Sequence, residues 1–61
     1  MPEVYVHAVK GRSQEQKQAL VRDITEAVVK HFKVPIEVVL VEIVESEPHN
    51  KAKGGVFFSD R

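Results

Sequence analysis

Two β-branched runs flank one long amphipathic stretch, and that arrangement leaves this chain few folds to choose from. Residues 4–9, VYVHAV, alternate and are rich in β-branched and aromatic side chains, which reads as a strand. Residues 38–45, VVLVEIVE, form a second strand-like run, nearly continuous in apolar side chains. Between them Leu20, Ile24, Ala27, Val28 and Phe32 recur at three- and four-residue steps, while Gln14, Gln18, Asp23 and Lys30 fall elsewhere. That period predicts an amphipathic helix over residues 14–32. Gly11 breaks the first strand. Ser13 stands at the N-cap position with Gln16 three residues later, the spacing at which each side chain bonds the other's backbone N–H. Pro35 limits the helix, because the residue before a proline avoids helical geometry. Strand, helix and strand of these lengths make a βαβ unit, so the strands should be parallel with a right-handed crossover. The stretch SEPHNKAKGG, residues 46–55, reads as a polar loop, and residues 56–58 as a short closing strand. The fold class expected is α+β, in a single domain spanning residues 1–61.

The second run raises a difficulty, since continuous apolar character implies burial on both faces. One helix covers only one of them. By parity Val39, Val41 and Ile43 fall on the helix side. Leu40, with Tyr5, His7 and Val9, falls on the other, which is expected to meet another subunit. Size points the same way. A chain of about 60 residues hides only about 60% of its unfolded surface, so its core alone gives a thin margin. There is no cysteine to form a disulfide or a thiolate metal site. His7, His31 and His49 are far apart and not at helical ligand spacing, so no metal and no cofactor is expected. With 43% apolar residues and no staple, association is the remedy left. Nine basic and nine acidic residues cancel, which gives no net field for nucleic acid or membrane. The longest apolar run is VVLV at 38–41, and the N-terminus lacks the pattern of a secretion signal, so a cytoplasmic protein is expected.

Two residues carry candidate chemistry. Pro2 follows the initiator methionine, and a small second side chain normally permits removal of that methionine. Pro2 would then be a free secondary amine. To abstract a proton near neutral pH it must be uncharged, which an apolar pocket or a nearby cation favours. Arg12 lies between the first strand and the helix, where its guanidinium can hold a carboxylate through two parallel bonds. Taken singly, each position is equally that of a strand-starting proline and of a solvated arginine.

Together with EVYVHAVKGRSQEQKQALVRDITEAV after Pro2, then Pro35 and Gly54-Gly55, they resemble the 4-oxalocrotonate tautomerase family. The resemblance covers essentially the whole chain. It implies keto–enol tautomerisation of a small carboxylate such as 2-hydroxymuconate, with Pro2 as general base and Arg12 binding the substrate carboxylate. It also implies a hexamer, a trimer of dimers, with sites built from neighbouring subunits. Two departures stand out. The family's second arginine falls on Leu40, which would leave an apolar pocket wall there, and its aromatic wall falls on Lys51. Lys51 or Lys53 could replace the missing cation, although an ammonium lacks the fork of a guanidinium. Two alternatives follow from these departures. One is a non-catalytic subunit of a hetero-oligomer whose partner supplies the arginine. The other is hydratase- or dehalogenase-like addition of water, for which Glu42 and Glu45 are the nearby carboxylates. His7 and Tyr5 read as packing residues, His31 as a complement to the helix dipole, and Asp60-Arg61 as a frayed end or an intersubunit contact.

Overall fold

The computed structural model describes residues 1–61. Strand β1 spans Glu3–Val9, helix α1 Gln14–Phe32 and strand β2 Leu40–Ser46. The strands pair in parallel, with Glu3 opposite Leu40, Tyr5 opposite Glu42 and Val9 opposite Ser46. The βαβ unit with parallel strands is therefore as the periodicity predicts.

Local chemistry sets the helix bounds. The Ser13 hydroxyl accepts from the Gln16 N–H at 3.1 Å, and the Gln16 side chain accepts from the Ser13 N–H at 2.9 Å. Both halves of the capping box are in place. Glu15 in the first turn and Lys30 and His31 in the last complement the helix dipole. The end comes at Phe32, where Lys33 turns left-handed with φ 58° and its N–H reaches the Val29 carbonyl at 3.0 Å. Pro35 follows two residues later and prevents resumption. Ser13→Ala removes one cap and should lower stability by about 1 kcal/mol, read as a shift in the urea midpoint at constant slope.

The second strand starts later than the apolar run suggests. Residues Ile36–Val38 form a 3-10 turn, and Val39 donates its N–H to the Ile36 carbonyl at 3.2 Å rather than to the ladder. Pairing begins at Leu40, whose N–H meets the Pro2 carbonyl at 3.0 Å. The polar stretch after β2 is also more ordered than a loop. It holds a 3-10 turn at Pro48–Asn50 and strand β3, Ala52–Lys53. Strand β4, Val56–Phe57, pairs antiparallel with β3 and not with the main sheet. Gly54 and Gly55 both have positive φ, 62° and 82°, as a two-residue type I′ connection requires. The terminus is tied down, not frayed. The Arg61 guanidinium donates to the Lys53 carbonyl at 2.7 Å and lies over the Phe58 ring at 5.1 Å.

The helix covers one face of the β1–β2 pair. Val4, Val6, Ala8, Val41 and Ile43 are half-buried there, and Glu45 on that side pairs with Lys17 of α1 at 3.0 Å. The opposite face carries Glu3, Tyr5, His7, Leu40, Glu42 and Val44 in register. No residue of the isolated chain is fully buried. The radius of gyration is 14.6 Å, against about 10.5 Å for a compact chain of this length. The accessible surface is 4806 Å², against about 4,000 Å² for a folded monomer of this mass. Two-sided apolar character in β2 has thus not been resolved within one chain. No helix is long and apolar enough to cross a membrane.

Candidate active site

Topology separates the chemistry-bearing residues into two poles. Pro2 precedes the first residue of β1, and its carbonyl is bonded to the first residue of β2, so Pro2 and Leu40 share one end of the sheet. Arg12 belongs to the other. Gly11, at φ 140°, lets the chain leave β1 sharply, and the Arg12 guanidinium folds back so that Nη1 donates to the Val9 carbonyl at 3.0 Å. Seven strand residues lie between the poles, which at about 3.3 Å per residue puts the two groups roughly 20 Å apart. A single chain does not bring Pro2 and Arg12 together.

Lys51 and Lys53 follow the far end of β2. Lys10 donates its backbone N–H to the Ser46 carbonyl at 2.8 Å, which fixes that end beside the exit of β1. Lys51 caps the Pro48–Asn50 turn, half-buried, and its carbonyl accepts the Phe58 N–H at 2.8 Å. Both lysines thus lie on the chain segment beyond the Arg12 end and not beside Pro2.

The grooves of the chain also avoid Pro2. One, of about 460 Å³, runs along α1 past Gln14, Gln18, Val21 and Arg22. A second, of about 210 Å³, lies between α1 and the sheet, lined by Arg12, Gln16 and Leu20 with Val6, Ala8 and Ile43. Its walls also include the Lys17–Glu45 ion pair, so the one carboxylate there is engaged by an ammonium.

Several charged contacts were not legible in the sequence, because they join residues distant along the chain. Lys17 and Glu45 are 28 positions apart, so Glu45 is held by an ammonium rather than free to activate water. Lys10 and Glu47 pair at 2.9 Å. The hydrogen bond and the charge of Lys10 hold the Glu47 carboxyl below its ordinary range, and Glu47 in turn raises Lys10. The pair therefore favours the folded chain above the ordinary Glu pKa and below the ordinary Lys pKa. That contribution is lost as pH falls through the lowered Glu47 value or rises through the raised Lys10 value. Lys10→Ala should return Glu47 to the ordinary carboxylate range, measured by side-chain NMR titration. On the open face Tyr5 donates to the Glu3 carboxylate. That hydrogen bond, then the Glu3 charge, then partial desolvation and Glu42 opposite, raise the phenol above its usual value and keep it protonated.

A parallel βαβ unit with a short C-terminal hairpin and these two poles is the tautomerase fold. The Tautomerase enzyme family model matches residues 2–61, and the chain belongs to that family. It is 43% identical over 61 residues to a probable tautomerase of Bradyrhizobium diazoefficiens, covering 100% of this chain and 91% of that one. A solved 4-oxalocrotonate tautomerase homologue superposes with a TM-score of 0.95 at 38% identity, covering 100% of this chain and 97% of that one. A heterohexamer 4-oxalocrotonate tautomerase from Chloroflexus aurantiacus superposes with a TM-score of 0.89 at 32% identity, over 98% and 97% of the two chains.

Proposed function

We propose that this chain is an isomerase of small enol carboxylates in which Pro2, freed by removal of Met1, is the general base. The observation that carries the reading is the position of Pro2. It is the second residue, anchored by its carbonyl to Leu40, behind a methionine that is 82% exposed and open to an aminopeptidase. While Met1 is attached, the Pro2 nitrogen is an amide and holds no basic lone pair.

In the reaction the uncharged Pro2 nitrogen takes the proton of the 2-hydroxyl group. The oxygen lone pair becomes the carbonyl, and the electron pair of the enol shifts along the carbon chain. Prolinium returns its proton at C3 or C5, so the product is an isomer and Pro2 is regenerated. Arg12 of another protomer holds the carboxylate. Its Nη1 bond to Val9 fixes the plane of the fork and leaves further N–H donors for two parallel bonds to substrate.

The same geometry supports assembly. The surface of the single chain exceeds that of a folded monomer by about 800 Å², the area each partner buries in a standard interface. Closing the open face of the sheet against other copies would cover Tyr5, which is 50% exposed, and leave Leu40, at the end of the face beside Pro2, as a wall of the site. It would also let Arg12 of one copy approach Pro2 of another. We read the assembly as a hexamer, and a soluble cytoplasmic setting fits methionine removal from a chain with no membrane-crossing helix.

A second reading has one observation in its favour. Leu40, not a cation, adjoins Pro2, and a different chain in a hetero-oligomer would supply a second guanidinium. Intact mass, native mass and initial rates on 2-hydroxymuconate and phenylenolpyruvate separate the two. The enzyme reading expects a chain lighter by one methionine, a homohexamer and turnover. A homohexamer without turnover, activated only by a second chain, supports the other.

A further inference from the structure

We propose that the substrate at the Pro2 end carries one carboxylate and an apolar substituent, not two carboxylates. This rests on the reading of Pro2 as the base and narrows its substrate class. Four observations support it.

The first is the charge inventory of the sheet. Neither β1, EVYVHAV, nor β2, LVEIVES, contains a lysine or arginine, and their carboxyl side chains are Glu3, Glu42 and Glu45. The second is the neighbour of Pro2. The residue of β2 whose backbone is bonded to Pro2 is Leu40, with its side chain 37% exposed on the open face. The third is the apolar surface at that end. Phe32 closes the helix there at 67% exposure, and Ile36 in the following 3-10 turn is 57% exposed. The fourth is the commitment of the cations. Lys10 and Lys17 are paired with Glu47 and Glu45, and Arg61 is spent on the Lys53 carbonyl. Lys30 and Lys33, at the end of α1, are exposed to water and lack the guanidinium fork, Arg22 stands at the middle of α1, and Lys51 and Lys53 follow the far end of β2.

One guanidinium beside the sheet, that of Arg12, is oriented by a hydrogen bond and keeps donors for a carboxylate. A second carboxylate placed against Leu40 would lose hydration with no guanidinium fork beside it, and Glu3 and Glu42 on the same face would repel it. An apolar group placed there covers Leu40 instead and gains by leaving water.

The test uses a matched pair of acids that lack the enol hydroxyl and so do not react. Sorbate and muconate share a six-carbon diene chain and differ by a methyl group in place of one carboxylate. Calorimetry on the processed, assembled protein should show sorbate binding at least about tenfold tighter than muconate. Leu40→Arg should reverse that order. Leu40→Gln, which adds no charge, should weaken sorbate and leave muconate weak. Muconate binding as tightly as sorbate, an unchanged order in Leu40→Arg, or no binding of either acid at millimolar concentration overturns the proposal. Failure of Pro2 as the base is separate. It would show as turnover insensitive to a blocked N-terminus while the binding preference persists.

Discussion

Protein that keeps a residue ahead of Pro2 should isomerise an enol carboxylate about 10²–10⁴-fold more slowly than protein that begins with Pro2. An acylated nitrogen has no lone pair for a proton, so this loss does not depend on any shift in the amine's pKa. The effect falls on kcat and on kcat/KM together, since the base acts in the transition state and contributes little to ground-state binding. Pro2→Ala behaves differently. It keeps a terminal amine, though a primary and less basic one, and should lie between the two. Initial rates on samples sorted by intact mass give the comparison. Equal rates for blocked and processed protein would remove Pro2 from the chemistry.

Arg12→Ala should lower kcat/KM by about 10- to 150-fold, the range for losing a charge-assisted contact worth about 1.5–3 kcal/mol. Most of that loss should appear in KM, because the carboxylate is held alike in ground and transition states. Arg12→Lys should recover only part of it, since an ammonium offers a point charge where a fork is needed. Stability is expected to change little, because Arg12 is exposed and its one intramolecular bond is to the Val9 carbonyl. A large fall in melting temperature would instead mean that Arg12 serves the fold. An unchanged KM would mean that another cation receives the substrate.

The sequence and the structure agree where periodicity or capping chemistry is strong. Alternation in VYVHAV and the three- and four-residue steps from Leu20 to Phe32 mark β1 and α1, and Ser13 with Gln16 marks the helix start to the residue. Agreement ends where those signals do. Val38 and Val39 look like strand because they are β-branched, yet the chain is still turning after Pro35 and enters the ladder only at Leu40. A two-residue strand has no period to read, so β3 is hidden in the polar loop expected at 46–55, while the closing strand expected at 56–58 appears as β4, Val56–Phe57. The candidate residues Pro2, Arg12, Leu40 and Lys51 could be named from sequence. What the sequence does not show is the register, which sets Leu40 opposite Glu3 at the Pro2 end and leaves Lys51 beyond the Arg12 end. The same holds for Lys17 with Glu45 and Lys10 with Glu47, whose separation in sequence hides a shared end of the sheet.

The division of Pro2 and Arg12 between opposite ends of β1 makes a mixing experiment decisive. Pro2→Ala and Arg12→Ala chains, each of low activity, are unfolded, combined in equal amounts and refolded together. If a site takes its base from one protomer and its arginine from another, about one site in four receives both intact groups, and activity returns toward a quarter of wild type. If base and arginine act within one chain, no mixed site can be complete, and activity stays at the mean of the two parents. The account predicts the first result, and the second would contradict it.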